Sequence, residues 1–88
     1  MPFDLPLPNP LPSDGWKVKI LDAEPDYEEP HLTIRWKTKH WRISLRTRRH
    51  MDEEPPIGDV RGEVLAEIDE SWDLLVREWN RRHPDNPV

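Results

Sequence analysis

His31-Leu32-Thr33-Ile34-Arg35-Trp36-Lys37-Thr38-Lys39-His40-Trp41-Arg42-Ile43-Ser44-Leu45 changes the parity of its apolar residues once, and that change decides the fold. Leu32, Ile34 and Trp36 share one face of a strand, because successive side chains of extended chain point to opposite sides. Trp41, Ile43 and Leu45 resume the alternation on odd numbers, so the chain reverses between the two runs. With Thr38 and Lys39 as a two-residue loop, the cross-strand pairs are Trp36 with Trp41, Ile34 with Ile43 and Leu32 with Leu45. Thr-Lys lacks the Asn-Gly or Asp-Gly chemistry that such loops prefer, which leaves a wider turn over 37 to 40 open.

Upstream, Trp16, Val18 and Ile20 alternate with Lys17 and Lys19 and predict a first strand over 16 to 21. The connection from Asp22 to Pro30 carries two prolines and five acids and cannot continue that strand. Downstream, residues 50 to 58 break the sheet pattern, and Asp59 then stands as an N-cap for one helix running to Arg82 or His83. Val60, Val64, Leu65, Ile68, Trp72, Leu75, Val76 and Trp79 fall within an arc of about 160° at roughly 100° per residue, opposite an arc of Glu63, Glu67, Asp69, Glu70 and Asp73. Gly62 weakens the first turn by about 1 kcal/mol, and Pro84 marks the end.

The resulting fold class is α+β: a three-stranded antiparallel meander packed against one long C-terminal helix, with a proline-rich N-terminal arm. Prolines at 2, 6, 8, 10 and 12 make residues 1–14 that arm, extended near polyproline II geometry, with 15–83 as the domain and 84–88 as a tail. The arm reads either as a docking peptide for an aromatic groove or as a mobile or loosely packed tail, with Leu5, Leu7 and Leu11 able to lie on the domain.

Eighty-eight residues make one domain. Charged residues, at 35%, outnumber hydrophobic ones, at 34%, and five tryptophans supply the burial that lets such a chain fold. The absence of cysteine excludes a disulfide framework and thiolate metal sites, and points to the cytoplasm. The N-terminus lacks the basic start and apolar run of a signal peptide, and no stretch approaches the ~20 apolar residues of a membrane span. Net charge is −5, yet residues 31 to 50 hold seven Lys/Arg, three histidines and no acid. Their flanks are acidic.

Packing the apolar faces together exposes the other face of the sheet. That face is predicted to present Lys17, Lys19, His31, Arg35, Lys37, His40, Arg42 and Arg46 as the binding residues, with Arg35 opposite Arg42 as a disfavoured like-charge pair. Compensation is expected from the chain's own acids at 22–29 and 52–54, from RNA or DNA phosphates, or from an acidic protein surface or a second copy. The tryptophans all fall on the inner face and offer bases no stacking platform. Glycines at 15, 58 and 62 form no phosphate loop, serines at 13, 44 and 71 no nucleophile elbow, and no cofactor is implied. His31 and His50 at one end of the hairpin, with Asp52 or Glu53, form a candidate metal or acid/base group against the more ordinary reading of solvated histidines.

Gly15-Trp16-Lys17-Val18-Lys19-Ile20, the acidic gap, Glu29-Pro30-His31-Leu32-Thr33-Ile34 and the terminal Trp79-Asn80-Arg81-Arg82-His83 resemble the family of small bacterial proteins called domain of unknown function 4160. The likeness spans residues 15 to 83. That family opens its second strand with a Pro-Pro-His-x-His-Val type motif; Pro30-His31 matches it, whereas Glu29 replaces the first proline and Thr33 the second histidine. The resemblance implies the same meander and helix and no established activity, in a family whose members are often suspected of belonging to toxin-antitoxin pairs. The expected function is a non-enzymatic bacterial module binding nucleic acid through its basic sheet face. The alternatives are a protein-interaction domain using its opposite charged faces or its arm, and a small ribonuclease with His31, Arg35, Arg42 and His50 around a scissile phosphate.

Overall fold

The computed structural model describes residues 2–22 and 28–88. Strands β3 (His31–Trp36) and β4 (Lys39–Ser44) form the hairpin around a two-residue loop, which is Lys37-Thr38 and not Thr38-Lys39. Ile34 therefore opposes Trp41 and Leu32 opposes Ile43, a register two positions from the expected one. A shift of two preserves parity, so the same side chains still face the core. Lys37 supplies the left-handed residue the loop requires, at φ 56°. The register places Trp41, fully buried, at the centre of the sheet, with its Nε1 donating to the Pro56 carbonyl at 3.0 Å. Trp36 moves to the strand end and stacks on Trp16, ring centres 5.0 Å apart.

β2 (Lys17–Ile20) pairs antiparallel with β3, Val18 opposite Ile34. The sheet then continues where the sequence predicts no strand. The arm provides β1 (Phe3–Asp4), with Phe3 opposite Ile20 and Asp4 opposite Lys19, so the sheet has four strands in the order β1-β2-β3-β4. Leu5 donates its N–H to the Val18 carbonyl at 2.9 Å, and Leu5 and Leu11 enter the same core as Val18, Ile20, Leu32 and Ile34. Apolar burial, which alternation among prolines conceals, holds the arm down. Pro6 has no N–H to add to a ladder, so the strand stops after two residues. The chain then turns back through Leu11 N–H to Pro8 O and Asp14 N–H to Pro10 O, with Gly15 at φ 95° leading into β2.

Beyond β4, the Ser44 hydroxyl accepts the N–H groups of Arg46 and Thr47, and Arg48 adopts φ 63°. The returning chain covers the outer edge of β4 over Arg42–Ser44. Ser44 N–H donates to Arg49 O at 2.9 Å, Met51 N–H donates to Arg42 O at 2.8 Å, and His50 bridges Ile43.

The single helix expected from Asp59 is two. Asp59 belongs to a 3-10 turn (Ile57–Asp59); α1 (Gly62–Glu70) follows Arg61, and α2 (Trp72–Arg82) follows a break at Ser71. Val64, Ile68 and Trp72, four residues apart, precess around a straight helix by about 40° at each step. Ser71, at φ −104° and ψ 16°, separates the two helices, and Leu75 and Trp79 of α2 are buried as Val64 and Ile68 of α1 are. Its N–H is shared between Glu67 O and Ile68 O, while its own carbonyl accepts from Leu75. Among the described residues, no helix is long and apolar enough to cross a membrane.

Candidate functional site

Two rows of side chains cross the outer face of the sheet, and they differ in how their charge is balanced. The first row is Asp4, Lys19, Thr33 and Arg42, one from each strand. Lys19 Nζ lies 2.8 Å from Asp4 Oδ1, and Arg42 grips Asp52 with Nε at 2.9 Å and Nη2 at 2.5 Å, with Glu28 at 3.4 Å from Nη1. Such two-point guanidinium–carboxylate contact is among the stronger ion pairs available. Acids from both predicted segments thus fold over Arg42, and the arm, in a role the sequence does not suggest, neutralises Lys19. Residues 23–27 of the acidic connection lie outside the described residues.

Hydrogen bonding from Arg42 holds the Asp52 carboxyl below its ordinary value of 3.8, against the opposing effect of burial. A carboxyl with a depressed folded-state pKa stabilises the fold fully above its unfolded pKa, and that contribution is lost as pH falls through the lower folded value. Asp52→Asn is therefore expected to be less stable than wild type at neutral pH, with the difference narrowing below about pH 4. Urea unfolding across an acid series checks this; a difference constant with pH would refute the ionic role.

The second row is Lys17, Arg35 and His40, at paired positions on β2, β3 and β4. All three are exposed, and none has an ion pair or side-chain hydrogen bond among the described residues. Arg35 thus opposes His40 and Lys17, not Arg42, because of the two-residue register shift. Lys17 and Arg35, like charges at paired positions on neighbouring strands, repel. Lys37 extends the row at the turn, its Nζ 4.5 Å over the Trp36 ring, and Lys39 reaches Asp59 at 3.6 Å.

Of the eight predicted residues, Lys17, Arg35, Lys37 and His40 are thus gathered at the hairpin end, and Lys19 and Arg42 are neutralised. His31 is 2% exposed and its ring lies 5.4 Å from that of Trp79. Its Nδ1 must carry a proton, because its partner at 2.8 Å is the Glu29 carbonyl, which can only accept. Arg46 lies past the opposite end of β4, in the turn that follows Ser44, and donates to the Pro87 carbonyl.

His31 and His50 pair with Ser44 and Ile43, adjacent positions whose side chains point to opposite faces. His31, Arg35, Arg42 and His50 are not brought to one point. Among the described residues, no cluster of three or more His, Asp or Glu could hold a metal ion. Trp36 departs from the expectation that every tryptophan is buried, for it is partly exposed beside Lys37. Compared with protein-family models, curated proteins and solved structures, the chain matches none.

Proposed function

We propose that this domain is a non-enzymatic binding module that holds the phosphate backbone of a nucleic acid through Lys17, Arg35 and His40, with Lys37 beside them. One observation carries the reading. The cations of the first row are matched by acids of the same chain, whereas Lys17 and Arg35 of the exposed second row have no ion pair among the described residues, and His40 beside them feels the Asp52 carboxylate. A row of like charge is relieved by an anion from outside. Because the row is short and the chain net acidic, binding is electrostatic, not base-specific, and depends on approach by this end of the molecule.

The second reading is an acidic protein surface on the same row. The buried leucines of the arm favour the row over the arm as the contact, since the arm is engaged in its own core. A toxin-antitoxin role, carried by the resemblance over residues 15–83, is compatible with either partner.

Short RNA and DNA oligonucleotides are expected to be retarded at low salt, with affinity falling by about 0.7–0.9 log units per phosphate contact for each tenfold rise in salt. Charge reversal at Lys17→Glu with Arg35→Glu is expected to weaken binding more than ~tenfold. Unchanged mobility of every oligonucleotide at low salt would sink the nucleic-acid reading. Saturable binding of an acidic peptide, lost in the same double variant, would then establish the second.

A further inference from the structure

The opposite end of β4 holds an opening that the hairpin-end row does not use. A cavity of about 350 Å³ lies between the chain that closes β4 and the helices, with Ile43, Ile68 and Trp72 among its walls. Arg48 stands on this cavity in the left-handed region at φ 63°, a conformation that a residue with a side chain seldom adopts. Its guanidinium carbon is 4.3 Å from the centre of the Trp72 ring, and it has no carboxylate partner among the described residues. Stacking holds the planar fork on the aromatic wall and leaves its N–H edge for another group. His50 also lines the cavity, and its Nε2 is sealed from solvent without a hydrogen-bond partner among the described residues. Arg49 adds a second positive charge to the lining, against the one carboxylate of Asp69.

We propose that this cavity binds a small apolar carboxylate, an aromatic or branched aliphatic acid. Its body packs against Ile43, Ile68 and Trp72, and its carboxylate meets the Arg48 fork. Apolar walls with a few converging polar groups are the usual make-up of such sites, and the volume lies at the small end of their range. The two arginines select the anion, and a turn of the His50 ring toward it gives Nε2 the partner it lacks.

The test titrates the full chain with phenylacetate, isovalerate and the neutral phenylacetamide, reading the Trp72 indole and His50 ring resonances. Both acids are expected to give saturable shifts at the two residues, with the amide at least ~tenfold weaker. Arg48→Gly suits the left-handed backbone and so keeps the fold. This variant is expected to lose the preference for acid over amide while retaining its thermal midpoint, and Lys17→Gln, distant from the cavity, is expected to bind as wild type does. Absence of saturation, shifts that avoid Trp72 and His50, equal binding of acid and amide, or undiminished phenylacetate binding by Arg48→Gly would each overturn the proposal. So would saturation by an acidic peptide where the small acids fail, since the cavity would then receive a protein side chain.

Discussion

Trp79→Ala is expected to remove between about a third and all of the folding free energy. Trp79 is fully buried, and removing a buried indole costs about 3–5 kcal/mol. Domains of this size have roughly 5–10 kcal/mol in total. The ring also organises its neighbours. It stacks on His83 at 3.8 Å, and its Nε1 donates to the Asn86 carbonyl at 2.7 Å. His83 in turn donates from Nε2 to the Leu21 carbonyl, and Asn86 donates from its side chain to the Glu28 carbonyl. One side chain thus ties the end of α2 and the tail to both ends of the 22–28 connection. Trp79→Phe restores much of the packing but leaves the Asn86 carbonyl without its donor, so it is expected to cost about 1–3 kcal/mol. Urea midpoints followed by far-UV circular dichroism check both. A Trp79→Ala midpoint equal to that of Trp79→Phe would show that the cavity is not the dominant loss.

The second large effect is expected from the arm. Leu11 is 2% exposed and Leu5 5%, values typical of a core and not of a tail. Leu11→Ala is expected to lower stability by about 2–5 kcal/mol, the range for buried leucine, where a substitution on a loose tail would stay within about 0.5 kcal/mol. Removing residues 1–14 altogether is expected to cost more, because it strips β1 from β2 and uncovers Val18 and Trp16. Equal urea midpoints for wild type and Leu11→Ala would mean that the arm is not part of the folded unit.

The α+β class and the inner face of the sheet are legible in the sequence, since parity alone assigns Val18, Ile20, Leu32, Ile34, Trp41 and Ile43 to the core. Register is not. Two alignments differing by two residues bury the same side chains, and the choice rests on which residue accepts a positive φ in the loop, which Lys37 does without advertising it. The break at Ser71 is likewise silent, because the apolar stripe from Val60 to Trp79 runs through it without a change of phase. β1 escapes notice because a two-residue strand is too short for periodicity, and prolines on either side suggest its opposite. For the candidate site, the basic character of residues 31–50 is visible at once. Compensation by residues 52–54 is expected from the sequence, but its restriction to the row of Arg42 is not, since the register sets which cation meets Asp52 and the arm supplies Asp4 to Lys19.

The two rims of the sheet carry a consequence for assembly. On one side β1 offers only two residues of ladder, flanked by Pro2 and Pro6; on the other, residues 49–51 engage the Ser44 amide and the Arg42 carbonyl of β4. Neither rim offers a long free ladder on which another chain could add a strand, the route by which exposed sheets polymerise into fibres. Strand addition in the native state is thus confined to the short stretches Phe3–Asp4 and Lys39–Trp41, and contacts between copies elsewhere form through side chains on the faces or ends, where charge and salt govern them.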